Sequence, residues 1–62
     1  MLTIYEFVQL FTDNTRIEIY SLDDEKTIFR GWSNEIPEDV ENLYICSIDP
    51  ICYDVNAIVV NV

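Results

Sequence analysis

Apolar positions near the N-terminus recur with a helical period. Ile4, Phe7, Val8 and Phe11 stand at i, i+3, i+4 and i+7, which places them on one face of a helix. Thr3 and Glu6 have the spacing of a capping box, in which the Thr hydroxyl accepts from the backbone N–H three residues on and the Glu side chain reaches back to the Thr amide. Thr12, Asp13 and Asn14 supply a polar stop. From Arg16 the period shortens to two: Ile17 and Ile19 alternate with Arg16 and Glu18, an acidic run of Asp23, Asp24 and Glu25 interrupts, and KTIFRGW follows. Two β-branched and aromatic runs around a polar cluster predict an antiparallel hairpin. Gly31, the chain's single glycine, falls in or at the end of the second run, where it marks a bulge or a close backbone approach.

Pro37 suits the first turn of a short helix, because its missing N–H has no partner to lose there. LYICSI and NAIVVNV then predict two more strands, joined by DPICYDV, whose Asp49 and Pro50 favour a turn. In the last strand Ile58, Val60 and Val62 make one face, and Ala57 and Val59 leave the other largely apolar. Such a strand is either central or, at an edge, open to pairing with a second copy of the chain. The order predicts one α+β domain over residues 1–62: an N-terminal helix packed through Phe7 and Phe11 on a four-stranded, mainly antiparallel sheet, with a short helical turn between strands 2 and 3.

Composition supports a packed core and narrows the partners. Half of the 62 residues are hydrophobic, well above the level of a disordered acidic chain. Twelve Asp and Glu against Arg16, Lys26 and Arg30 give a formal charge of −9, which disfavours bare nucleic acid and anionic membranes and favours a basic protein. No positive region precedes the apolar residues of the N-terminus, and no apolar run approaches the roughly 18 residues that span a bilayer. The expectation is a cytoplasmic protein in which Cys46 and Cys52 are reduced thiols.

The chain has no histidine, and so lacks the commonest base near neutral pH and the commonest zinc ligand. Cys46 lies in an apolar pattern and neither thiol has an evident base, so both read as core or loop residues rather than nucleophiles. A chain this short has little material for a cleft that holds a sugar between two carboxylates. Its acidic runs also lack the alternating ligands and central glycine of a calcium loop. No catalytic residue, metal site or cofactor is expected.

Two acidic groups remain, Asp23, Asp24 and Glu25 in the hairpin turn, and Glu35, Glu38, Asp39 and Glu41 around Pro37. No Lys or Arg lies among residues 34–42 to relieve the second group. In a helical turn Glu38 and Glu41 share a face, as do Glu35 and Asp39 if the turn begins early enough, with Cβ atoms about 5–6 Å apart. That spacing is of the order of the charge spacing along a nucleic acid strand, so a rigid row of this kind would compete for a basic groove. The same carboxylates have a folding role, since a helix N-terminus favours each by about 0.3–1 kcal/mol. Tyr5, Tyr20, Trp32, Tyr44 and Tyr53 exceed what a core already holding Phe7 and Phe11 needs. Some are therefore exposed, as contact residues or as cross-strand pairs.

The I-x-I-Y strand at residues 17–20, the aromatic-plus-glycine strand end at 29–31 and the IP-E turn at 36–38 resemble small acidic proteins encoded by phages and mobile elements of gut Firmicutes. The likeness covers most of the chain and includes no catalytic signature. It implies a fold and a genomic setting, one in which acidic inhibitors of host nucleases, including anti-CRISPR and anti-restriction proteins, are similar in size and charge. The functional expectation is a non-enzymatic interaction domain, an inhibitor or nucleic-acid mimic that meets a basic protein through the two acidic groups. The alternative is a self-associating module, a homodimer through the C-terminal strand, whose acids only keep it soluble.

Overall fold

The capping box forms at the predicted place. Glu6 N–H donates to Thr3 Oγ1 at 3.1 Å, and the Glu6 carboxylate accepts from Thr3 N–H at 3.0 Å. These bonds open α1, Ile4–Val8, in a computed structural model that describes residues 1–51 and 54–62. The helix is shorter than its apolar stripe. Leu10 N–H donates to the Phe7 carbonyl and Phe11 N–H to the Val8 carbonyl, at 3.1 and 3.2 Å, the tightened i to i+3 bonding that commonly ends a helix. Three residues per turn in place of 3.6 carries Phe11 off the stripe. Ile4 is fully buried, Phe7 and Val8 pack partly against the core, and Phe11 instead meets Phe7 edge-on with ring centroids 5.0 Å apart.

Strands β1 (Arg16–Ser21) and β2 (Lys26–Trp32) form the antiparallel hairpin, closed by Leu22 and the acidic Asp23, Asp24 and Glu25. Glu25 takes the left-handed conformation, φ 53°, that lets the chain re-enter β2. The irregularity in this pair is at Ile28, which the register skips between Ile19↔Phe29 and Tyr20↔Thr27. Gly31 answers to close approach instead, since a Cβ there would stand 3.2 Å from the ring of Phe29.

A 3-10 turn, Ser33–Glu35, and the one-turn helix α2, Glu38–Glu41, follow β2, and because Ile36 and Pro37 between them are extended, Glu35 does not share a helix face with Asp39. Pro37 sits just ahead of the first helical residue, where its carbonyl accepts from Val40 and Glu41 N–H, each at 3.0 Å. Ile36, only 6% exposed, anchors this segment in the core.

The second half of the chain departs from the sequence pattern in two places. LYICSI is not one strand. Its first residues pair with the N-terminus, with Ile4 N–H on the Leu43 carbonyl (3.0 Å), Ile45 N–H on the Leu2 carbonyl (2.8 Å) and a bridge between Thr3 and Tyr44. Asp49 and Pro50 are not the turn either. They lie within β3, Ser47–Ile51, opposite Val59 and Ile58 of β4, Asp54–Asn61. Strand β3 is at the sheet edge, the place in a sheet where a residue without an N–H is tolerated.

The sheet order is β2-β1-β4-β3, with β4 parallel to β1 and antiparallel to β3. The C-terminal strand is thus central, and both of its hydrogen-bonding edges are occupied. In the parallel pair Ile17 faces Ile58 and Ile19 faces Val60. These residues, with Ile4 and Ile36 above them, make the core between the sheet and the helical layer. The opposite sheet face carries Arg16, Glu18, Arg30 and Trp32. Arg30 Nε donates to Glu18 Oε1 at 2.8 Å across the β1–β2 pair, a contact worth about 0.2–1 kcal/mol.

Candidate binding surface

Strand β2 separates the two acidic groups where they come nearest in the chain, at its opposite ends. Glu25 immediately precedes β2 and Glu35 ends the turn that follows it, so the strand's seven residues separate them by about 20 Å at 3.3 Å per residue. That is most of the molecule's 26 Å long dimension. That separation holds for Glu35 alone: Glu41 stands two residues before Leu43, which lines a groove with Asp23 and Asp24, so the second group runs from the Trp32 end back toward the first.

Folding uses some of these carboxylates and leaves others. Glu35 Oε1 accepts from Trp32 N–H at 3.4 Å, tying the 3-10 turn to the strand end. Asp24 is held by Ser21, whose buried hydroxyl donates to Asp24 Oδ2 (3.2 Å) and accepts from Asp24 N–H (3.1 Å). Among the described residues, Asp23, Glu25, Glu38, Asp39 and Glu41 enter no side-chain hydrogen bond or ion pair. Of the three basic residues, Arg16 and Arg30 project from the sheet face opposite the core and the α2 layer. Lys26 instead pairs with Ser21, on the core side of β1 at the hairpin end, so the helical side holds the one remaining basic residue there and none beside α2.

The chain returns from the Trp32 end to the hairpin turn over residues 36–44, and there it shapes a shallow groove of about 380 Å³. Ile28, Leu43 and Val62 give it apolar lining, and Asp23, Asp24 and Tyr44 complete the wall. Tyr44 is 54% exposed, and Leu22 and Leu43 beside the turn are also exposed. Leu22 N–H donates to the Val62 carbonyl at 3.0 Å, which fixes the turn against the end of β4. A second open depression of about 260 Å³ lies between Phe11 and Ser33. Asn14 closes its base by accepting from Ser33 Oγ and Asn34 N–H.

The sequence singled out Tyr44 only as one of several aromatics, and gave no sign that Leu43 and Tyr44 border the acidic turn. Of the other aromatics, Tyr5 and Trp32 are exposed and Tyr20 is half-buried, while Tyr53 lies outside the described residues. Cys46 is a free, exposed thiol just ahead of β3 rather than a core residue of a strand, and Cys52 lies outside the described residues. Among the described residues no three carboxylate or thiol groups converge to hold a metal ion, and no helix is long and apolar enough to cross a membrane. The Glu6 carboxyl is held below its ordinary pKa, first by the Thr3 backbone N–H and then by the Thr3 hydroxyl.

In comparisons with protein families, curated proteins and solved structures, nothing matched this chain. The resemblance to phage-encoded acidic proteins accordingly remains an expectation from the sequence, and function has to be argued from the surface itself.

Proposed function

We propose that the chain is a non-enzymatic interaction domain that presents carboxylates to a basic partner protein, as an inhibitor or nucleic-acid mimic does. The observation that carries this reading is the set of side chains the fold does not use: Asp23, Glu25, Glu38, Asp39 and Glu41 enter no side-chain bond among the described residues. The macrodipole of a one-turn helix stabilises Glu38 and Asp39 modestly, and nothing equivalent operates on Asp23 and Glu25. Arg16 and Arg30 lie on the other sheet face and Lys26 at the hairpin end of β2, so a partner approaching α2 meets little competing positive charge.

Affinity capture from a lysate of the source organism, at low and moderate salt, tests the reading. Reversal of Glu38, Asp39 and Glu41 to Lys releases the partner if it holds. A partner that stays bound unchanged removes it. Self-association through the C-terminal strand would require β4 to give up β1 or β3, since it is paired on both sides. Sedimentation over a wide concentration range decides that alternative.

A further inference from the structure

We infer that the groove beside the hairpin turn receives an arginine side chain of a basic partner protein, an inference that rests on the proposed acidic binding role and gives it a specific anchor point. The groove combines three kinds of contact that arginine can use together. Its apolar lining, Ile28, Leu43 and Val62, matches the methylene stem, which long cationic side chains lay along apolar surface while the head stays wet. Asp23 and Asp24 on the wall match the charge, and with Glu25 they outnumber Lys26, whose backbone pairs with Ser21 at the same end of the sheet. Asp24 is already fixed by its two bonds to Ser21, so little ordering is left for binding to accomplish. Tyr44, 54% exposed at the same groove, offers an aromatic surface to a planar guanidinium.

Size points the same way. A volume of about 380 Å³ lies near the lower end of the roughly 300–1,000 Å³ of small-molecule sites, which also enclose their ligands far more completely. An open groove of this size suits one long side chain entering from a larger surface. The exposed Leu22, next to Asp23 in the chain, then has an explanation, because a docked partner backbone would cover it. The walls come from the hairpin turn, Ile28 of β2, the Leu43–Tyr44 segment pinned to the N-terminus and Val62 just past β4. Its composition therefore arises only on folding.

Amide chemical shifts of the labelled protein, followed at low salt during titration with a capped Gly-Gly-Arg-Gly-Gly peptide, test the inference. Shifts centred on Asp23, Asp24, Leu43, Tyr44 and Val62 are expected. The same peptide with neutral citrulline in place of arginine binds about tenfold more weakly if a charge-assisted contact is made. Tyr44→Leu weakens arginine binding about threefold through loss of the ring, and Asp23→Asn weakens it without disturbing the Ser21–Asp24 pair. Equal binding of the citrulline peptide, shifts centred on residues 38–41, or no shifts at millimolar peptide each overturn the groove. The captured partner separates this failure from that of the broader reading. A partner released by reversal of Glu38, Asp39 and Glu41 but indifferent to Asp23→Asn and Tyr44→Leu overturns the groove alone, and one indifferent to every charge change overturns both.

Discussion

Replacing Ile4 by Ala should cost more stability than replacing Phe11 by Ala, although Phe is the larger side chain. Ile4 is fully buried against Ile17, Ile19, Ile36 and Val60, and truncation of such a residue to Ala costs about 2–5 kcal/mol. Phe11 is half-buried outside that cluster, with the edge-on contact to Phe7 as its identified ring contact. Such a contact is worth about 0.5–1.5 kcal/mol beyond area burial, so with partial burial Phe11→Ala should cost about 1–2 kcal/mol. A chain of 62 residues at 0.05–0.15 kcal/mol per residue has about 3–9 kcal/mol in total. Ile4→Ala therefore brings the protein close to its unfolding threshold. Urea titrations followed by far-UV circular dichroism give both values, and Ile4→Val, expected at about 1 kcal/mol, serves as a milder probe. The groove should respond as well, because Ile4 N–H holds the Leu43 carbonyl and Thr3 bridges Tyr44. Equal or greater loss in Phe11→Ala would show that the helix docks through its aromatic stripe and refute the packing described above.

Three further outcomes follow from local geometry. Glu6 has a folded-state pKa below its unfolded value, so its stabilising effect is complete above the unfolded pKa and fades as pH falls through the folded one; Glu6→Gln should flatten that part of the acid-unfolding curve, and an unchanged curve refutes the capping box as its source. Glu25→Gly should raise the melting temperature, because relief of left-handed strain, about 1–2 kcal/mol, exceeds the added unfolded-chain entropy of Gly, about 0.4–1 kcal/mol. Glu25→Gln separates the effect of charge, and a Gly variant no more stable than Gln rules strain out. Gly31→Val should destabilise by about 1–3 kcal/mol, since even the first added carbon stands 3.2 Å from Phe29; a melt unchanged from wild type would mean that the ring moves aside freely.

The parts of this fold legible in the sequence are those whose interactions close within a few residues. The Thr3–Glu6 capping box spans three residues, the Ile17/Ile19 alternation needs only one strand, and the acidic turn joins neighbours into a hairpin. The helical turn after Pro37 is of the same kind. Even here tertiary packing set the details, since Phe11 left the stripe when the helix tightened after Val8.

What the sequence left undecided depends on pairings between distant segments, for which hydrophobic patterning gives a face but not a neighbour. Ile17 and Val60 read equally well in any strand order. Only folding places β4 between β1 and β3, closing the edge on which self-association would rely. Asp49 and Pro50 have the chemistry of a turn, yet an edge position lets β3 run through them. The acidic groups show the same division. The sequence determined their charge and local spacing, whereas the length of β2 separated Glu25 from Glu35, and the return of the chain set Leu43 and Tyr44 beside Asp23 and Asp24. Charge is a property of the residues themselves, but a binding surface is a distance relation among residues far apart in the chain, and that relation exists only once the sheet has chosen its order.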